Sequence, residues 1–233
     1  MLTAIDEVDG ERVITVRIHE ATIDVGLVSA LEPVLSDVER GAAENLVLQF
    51  SGALDSVAGD FPRWRPGPVR SDMRYFARWD ETLSRLSRLQ AKTFAAYDGR
   101  VGAAAVHAGL VMDLRLASAG ARLSLGSLSE ERFPGMDAYW LPKFIGLGNA
   151  RRIFLLGEDL TAGDASRIGL VDIVEDTVEA ATAATIKALR PVTPEAAYFT
   201  RRILDDCYTQ EWSAAAEMAK AARYKAGIPN PGD

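Results

Sequence analysis

One stretch of the sequence, residues 98–126 (DGRVGAAAVHAGLVMDLRLASAGARLSLG), constrains the fold most strongly. The apolar residues 93–97 predict a strand that enters an Asp-Gly turn, and a run of tiny side chains then opens a short helix. Residues 114–118 (LRLAS) predict the next strand. Backbone N–H groups at such a helix start can bind a phosphate or a developing oxyanion. The alternative is that the small residues only let a helix pack closely on a sheet.

The composition is that of an ordinary globular chain of 233 residues, long enough for a substantial core. A formal net charge of −7 argues against nonspecific nucleic-acid binding. The single cysteine, Cys207, excludes a disulfide framework and a cysteine-based metal site. No apolar run approaches the ~20 residues of a membrane span, and the first residues lack a signal-peptide pattern. We therefore expect a soluble, cytoplasmic protein with no membrane or nucleic-acid partner.

Hydrophobic periodicity predicts an α/β chain. The nearly continuous apolar run at 45–50 indicates a parallel sheet or a central position in a sheet. The Gly/Pro-rich segment at 51–68 is more often a functional loop, and the alternative is a disordered excursion. The pattern becomes purely helical from residue 177, which indicates a core of residues 1–176 and a helical oligomer-contact region of residues 177–233. The predicted strands are 3–8, 12–18, 45–50, 93–97, 114–118 and 170–174, and the predicted helices are 27–38, 71–89, 136–144, 149–156, 162–168, 177–189, 194–207 and 211–225.

Three segments resemble the crotonase (enoyl-CoA hydratase/isomerase) superfamily, and the resemblance extends over roughly residues 10–225. Residues 154–174 (FLLGEDLTAGDASRIGLVDIV) resemble the family's G-E-x-[IL]-x-A-x-x-A-x-x-x-G-L-V-[DN]-x-V run. Residues 112–118 (MDLRLAS) resemble its C-D-x-R-I-A-S strand, and residues 133–136 (FPGM) fall at its Pro-Gly step. The resemblance implies a spiral of repeated ββα units followed by C-terminal helices that form a homotrimer or hexamer.

By the same resemblance, the substrate is an acyl thioester of CoA or of a carrier protein, and no further cofactor or metal is expected. Two backbone N–H groups would polarise the thioester carbonyl. The family's three glycines fall on Ala103, Ala104 and Ala105, so Ala104 would be one donor and Ala103 would contact the substrate. An alanine can present its amide as a glycine does, but its methyl group crowds the thioester.

The second donor is expected in residues 56–61 (SVAGDF), which resemble the family's F-S-A-G-x-D motif. It falls on Asp60, or on Gly59 if one residue is deleted, and Ala58 would contact the substrate. The basic residue that usually meets the CoA phosphates is missing after the second strand. Arg63 and Arg65 can replace it, and a carrier-protein substrate would not need it.

Hydratases of this family carry two catalytic glutamates, and counting from Asp113 places His107 and Ser127 at those positions. A hydration by two carboxylates is therefore not expected. With an ordinary pKa near neutrality, His107 can move a proton at the α-carbon of a thioester, and Ser127 can hold a water or a hydroxyl group. The alternative for His107 is a histidine hydrogen-bonded in the core. Glu130 or Glu131 can substitute for the missing glutamate if the loop is rebuilt.

A narrower resemblance concerns residues 78–99 and 133–141, which are similar to the short, B-type crotonase-like proteins of dihydroxyphenylglycine biosynthesis. These assist dehydration and aromatisation of a polyketide thioester. The resemblance favours dehydration or isomerisation in polyketide-type secondary metabolism, while hydration and decarboxylation stay open. The alternative function is a catalytically weak partner that assists or stabilises another pathway enzyme.

Overall fold

A computed structural model describes residues 2–19, 25–51, 72–125 and 137–206, together with residues 214 and 217. Strands and helices alternate along most of this length. The strands are β1 (Leu2–Val8), β2 (Glu11–Ile18), β3 (Asn45–Ser51), β4 (Lys92–Asp98), β5 (Arg100–Val101), β6 (Leu114–Ser118), β7 (Arg122–Leu123), β8 (Leu160–Thr161) and β9 (Ile173–Glu175). The helices are α1 (Val25–Glu39), α2 (Asp72–Leu86), α3 (Ala103–Leu110), α4 (Asp137–Leu156), α5 (Ala162–Arg167), α6 (Val178–Leu189) and α7 (Pro194–Asp206).

Six of the strands form one sheet in the order β1-β2-β3-β4-β6-β9. Only β1 runs antiparallel to its neighbour, and the other strands are parallel. The Asp9-Gly10 turn joins β1 to β2 as the sequence predicts. A second sheet contains β5, β7 and β8. The predicted parallel sheet around residues 45–50 is confirmed.

Both faces of the large sheet are buried at its central strands β3 and β4, which explains why β3 shows so little alternation. Leu46 and Leu48 point into the main core, which α1, α2 and α3 cover. Val47 points to the opposite face, where Val178 and Ile186 of α6 pack on it and its neighbours. Helix α6 thus lies on the sheet, although it begins the region predicted to be a separate C-terminal unit. The division at residue 176 stays a prediction.

Two of the sequence motifs contact each other in the fold. Arg115 of the LRLAS strand donates to the Asp172 carboxylate (Nη2–Oδ1 2.8 Å), and the Arg115 backbone N–H donates to its other oxygen at 2.7 Å. The Arg115 side chain also donates to the carbonyl of Leu170. These bonds fasten the turn before β9 to the start of β6.

The end of α5 shows why the last predicted strand begins late. Gly169 has φ +85, and a Cβ there would lie 3.2 Å from the carbonyl oxygen of Phe144, so glycine is required. The N–H groups of Leu170 and Val171 then donate to the carbonyl of Ala165. Because those groups close the helix, they cannot join the sheet, and β9 starts at Ile173 instead of residue 170.

The two helices predicted at 136–144 and 149–156 form α4, which is interrupted at Gly146 (φ +74). The predicted helix at 211–225 lies outside the described residues. Among the helices that the structure describes, none combines the length and the apolar character needed to cross a bilayer.

Candidate active site

At the start of α3, the backbone amides that the sequence predicts to be open have no hydrogen-bond acceptor among the described residues. Gly102 precedes the helix in an extended conformation (φ −89, ψ 176), and no side chain caps the helix. The first N–H with an intrahelical acceptor is that of Val106, which donates to the Gly102 carbonyl at 3.2 Å. Within the described part of the chain, the N–H groups of Ala103, Ala104 and Ala105 therefore have no hydrogen-bond acceptor. Ala104 is only 5% exposed, so an acceptor placed there would be shielded from water.

The small residues of α3 also serve the packing role that the alternative interpretation proposed. Gly109 lies against Tyr97 of β4, and a Cβ at Gly109 would stand 1.9 Å from the tyrosine hydroxyl. That hydroxyl is within 3.4 Å of the Ala105 carbonyl. The close approach brings α3 onto the sheet, and the turn at Gly99 (φ +67) directs the chain from β4 towards it. Amide exposure at one end of α3 and close packing at the other are compatible.

His107 lies one turn into α3, on the same face as Ala104. Its side chain is buried, with 8% of the residue exposed, and its Nε2 is buried without a hydrogen-bond partner among the described residues. Burial lowers the His107 pKa to about 4, because the charged imidazolium loses its hydration. This pKa lies below the near-neutral value expected from the sequence, and the ring is uncharged at neutral pH.

His107 lines a cavity of about 380 Å³ between α2, α3, α4 and α7. Leu83 and Val111 form its buried floor beside the histidine, and Trp140 is half-buried in its wall. The α7 residues of the wall carry charge. Asp205 is half-buried, and burial raises the pKa of its carboxyl group to about 6. The cavity thus combines an apolar floor with ionisable groups.

A buried arginine holds α7 in position beside this cavity. The Arg201 guanidinium donates to Asp113 Oδ2 (2.6 Å), to Thr93 Oγ1 (3.0 Å) and to the carbonyls of Ser87 and Leu89. On the other side, Lys143 donates to the Asp205 carbonyl at 3.2 Å. These bonds tie α7 to β4, to the residue before β6, to the turn after α2 and to α4, and so position the wall that contains Asp205.

A row of polar residues lies at the carboxyl edge of the sheet, which is where ligands bind in many parallel sheets. Ser51, Asp98, Ser118 and Glu175 occupy equivalent register positions on neighbouring strands. Ser118 Oγ donates to Asp98 at 2.8 Å, and Ser51 Oγ is 2.8 Å from Nδ1 of His19 at the end of β2.

Of the residues predicted for the site, the structure describes Ala103, Ala104 and His107 and brings them together on one helix. The others lie outside the described residues: Ala58, Gly59, Asp60, Arg63, Arg65 and Ser127. Sequence reasoning missed Asp205 and Arg201. The only local signal in α7 was amphipathicity, and nothing in that pattern indicates a partner 88 residues away in the chain.

The sequence matches the enoyl-CoA hydratase/isomerase family over residues 13–226. A protein named enoyl-CoA-hydratase from Amycolatopsis orientalis is 29% identical over 149 residues, which make up 63% of this chain and 69% of that protein.

Solved structures show the same fold. A structure described as an enoyl-CoA hydratase from Bacillus anthracis aligns with a TM-score of 0.82 and 19% identity, covering 98% of this chain and 92% of that one. One described as an enoyl-CoA hydratase/isomerase from Cupriavidus metallidurans CH34 has a TM-score of 0.80 and 24% identity, covering 97% and 88%. The predicted α/β crotonase-like fold is confirmed. Because the family match spans most of the sequence, the chain belongs to the enoyl-CoA hydratase/isomerase family.

Proposed function

We propose that the protein acts on an acyl thioester, carried by CoA or by a carrier protein, and that it catalyses dehydration or isomerisation by proton transfer at the α-carbon. The observation that carries this proposal is one face of α3. It presents the open N–H of Ala104 and, one turn later, the buried imidazole of His107.

The Ala104 amide is suited to stabilise an enolate-like oxygen. It lies in the first turn of a helix, where the backbone dipoles favour negative charge, and its burial lowers the local dielectric. The second donor is assigned to Asp60, with Gly59 as the alternative. Ala58 and Ala103 are assigned to the sides of the thioester, and Arg63 and Arg65 to its phosphate end. These assignments rest on the family resemblance.

A pKa of about 4 makes His107 a weak base in the free protein. A negative charge that develops on the bound substrate raises this pKa, because it stabilises the protonated ring. Lowering the pKa from 6.5 to about 4 corresponds to roughly 3 kcal/mol against the charged ring. The backbone positions of Ala104 and His107 lie about 5 Å apart along the helix, and we take the same distance for the separation of the two charges. At an effective dielectric constant of about 20, the attraction between unit charges at that distance is roughly 3 kcal/mol. The developing enolate thus offsets the burial penalty and makes His107 competent to hold the proton.

The reaction class follows from the acid–base groups. A hydration by two carboxylates uses one group to activate water and another to protonate the α-carbon, and the two positions that carry those glutamates in the family's hydratases carry His107 and Ser127 here. One neutral base beside an oxyanion site suits removal of an α-proton. The protonated His107 then returns that proton to the β-hydroxyl group, which leaves as water and is oriented by Ser127, or to the γ-carbon in an isomerisation. The B-type resemblance supports a polyketide-type thioester in secondary metabolism. The basic residue that usually meets the CoA phosphates is missing after β2, and a carrier-protein substrate would not need that residue.

Exchange of the α-proton with solvent tests the proposal without knowledge of the final product. Acyl-pantetheine thioesters, which contain the part common to CoA and carrier-protein substrates, are incubated with the protein in D₂O and followed by NMR. We expect deuterium incorporation at the α-carbon, reduced at least 100-fold in His107→Phe. The surface substitution Asp176→Asn is the matched control. Equal exchange in wild type and His107→Phe would remove His107 from the chemistry, and no exchange in wild type would contradict the proposal.

The alternative is a partner that assists another pathway enzyme without chemistry of its own. The deep burial and weak basicity of His107 favour it. It predicts that the His107→Phe variant supports the reconstituted pathway as well as wild type does. A drop in product formation with a folded His107→Phe variant would contradict it.

We also infer that the protein assembles as a homotrimer or hexamer. Four leucines of α4 and α7 are more than half exposed, which is unusual for large apolar side chains. They are Leu147, Leu155, Leu156 and Leu204. Light scattering after size-exclusion chromatography measures the assembly, and a monomer at micromolar concentration would contradict it.

A further inference from the structure

The side chain of Tyr97 lies where α3 comes closest to the large sheet. It is fully buried, and its ring packs beside that of Phe50 on the neighbouring strand, with 6.1 Å between the ring centroids. A Cβ at Gly109 would stand 1.9 Å from the Tyr97 hydroxyl, so the hydroxyl fills the space that a larger residue of α3 would need. The hydroxyl group therefore limits how closely α3 can approach β4.

Two neighbouring side chains complete the seat in which Gly109 lies. Ala95 Cβ and Arg115 Cγ are each 3.1 Å from the place of a Gly109 Cβ, and Arg115 Nη1 donates to the Gly109 carbonyl at 3.5 Å. The Tyr97 hydroxyl reaches further towards the helix start, because it donates to the Ala105 carbonyl at 3.4 Å. Of these contacts, the last is the nearest along the chain to the Ala104 amide.

The Tyr97 hydroxyl is not suited to move a proton or to bind substrate. Burial raises the pKa of Tyr97 above its ordinary value, so the group stays protonated at neutral pH. Burying a hydroxyl costs free energy that phenylalanine would not lose, and an O–O distance of 3.4 Å is long for a hydrogen bond that should offset this cost. The placement of α3 is the feature of the structure that the hydroxyl serves.

We propose that Tyr97 is a positioning residue, whose hydroxyl group acts as a spacer that holds the Ala104 amide and the His107 ring in place beside the thioester. This inference rests on the proposed function, which assigns both groups to the reaction. Because both belong to α3, a shift of the helix on the sheet moves them together. An oxyanion donor acts at about 2.7–3.1 Å from the oxygen, and a misplacement of about 1 Å can cost on the order of 100-fold in rate.

The conservative substitution Tyr97→Phe tests the proposal, because it deletes the hydroxyl and keeps the ring. Exchange of the α-proton of butyryl-pantetheine in D₂O is followed by NMR over a range of thioester concentrations, which gives kcat and KM. We expect kcat to fall about tenfold, with KM changed less than about twofold. The reason is that the displaced amide and imidazole stabilise the developing enolate less, while the contacts that bind the unreacted thioester are kept.

The substitution Thr185→Val is the matched control. Thr185 is also buried, and its hydroxyl donates to the carbonyl of Ala181, one turn back in α6, at 2.7 Å. Helix α6 packs on the face of the sheet opposite to α3. The loss of either hydroxyl should lower the midpoint of thermal unfolding by about 2–4 °C. Only the loss of the Tyr97 hydroxyl should lower kcat.

The possible failures are distinguishable. If Tyr97→Phe keeps the wild-type kcat, or if Thr185→Val loses as much, the positioning role is wrong and the thioester function stands. A raised KM at unchanged kcat would place Tyr97 in the binding of the unreacted thioester and would also overturn the assignment. If wild type exchanges no α-proton, the thioester function fails and this inference fails with it.

A second variant decides if Tyr97→Phe does not fold, as judged by its thermal unfolding. Gly109→Ala keeps the hydroxyl and displaces the same part of α3, because its Cβ collides with that hydroxyl. It should lower kcat about tenfold at nearly constant KM. An unchanged kcat in Gly109→Ala would show that the spacing between α3 and Tyr97 does not matter to the reaction, and would overturn the proposal.

Discussion

Replacing His107 with glutamine isolates the linkage between one buried imidazole and the stability of the fold. In the folded protein the His107 pKa is about 4, and in the unfolded chain it returns to its ordinary value of 6.5. Below pH 6.5 the unfolded chain binds a proton that the folded protein does not bind. The stability that His107 contributes is therefore fully present above pH 6.5 and is lost as the pH falls towards 4.

The size of the effect follows from these two pKa values. The complete loss is roughly 3 kcal/mol, and about 2.5 kcal/mol of it falls between pH 7.5 and pH 4.5. Since 8% of the residue is exposed, solvent screening reduces this little. Glutamine keeps a polar group in the site but does not titrate.

Urea unfolding of both proteins at half-unit steps from pH 4.5 to pH 8 measures the difference in the free energy of unfolding. Other groups titrate in this range, but their contributions cancel when the variant is subtracted from wild type. The cost of fitting glutamine into the site is constant with pH and cancels as well. We expect wild type to lose about 2.5 kcal/mol relative to His107→Gln between pH 7.5 and pH 4.5. A difference that does not change with pH would show that the imidazole is not shielded from water, and the argument for a buried base would fail.

Three further substitutions test the packing around the site. Arg201→Met, which strands the Asp113 carboxylate, should lower the free energy of unfolding by about 3–5 kcal/mol, measured in urea. Gly109→Ala should cost about 1–3 kcal/mol because its Cβ collides with the Tyr97 hydroxyl, and the double variant with Tyr97→Phe should recover part of that loss. No recovery would mean that the contacts with Ala95 Cβ and Arg115 Cγ, each 3.1 Å from the added Cβ, dominate over the contact with the hydroxyl. Leu155→Glu should dissociate the proposed oligomer in light scattering, and an unchanged mass would exclude this leucine from the interface.

Much of the fold was accessible from the sequence because the signals involved are local. The β3 run NLVLQF and the β6 run LRLAS have the length and apolar character of buried strands, and both form within a residue or two of the predicted bounds. The tiny side chains after Gly102 predict an uncapped helix start, and α3 begins there. The strand predicted at residue 170 begins late because Leu170 and Val171 close α5.

The candidate site was only partly accessible. Sequence resemblance placed Ala104 and His107 near one carbonyl, and the helix puts them on one face. The wall formed by Asp205 depends on Arg201, whose partner Asp113 is 88 residues away in the chain. Periodicity reports which face of a helix is buried but not what it is buried against.

The sequence by itself determined the order of strands and helices, the open amides at the start of α3 and the family to which the chain belongs, since each depends on neighbouring residues. Only the tertiary structure decided the protonation state of His107 and the polar cavity beside it. The reason is physical: a pKa depends on the water that a group loses, and that water is displaced by α2, α4 and α7, which come from distant parts of the chain.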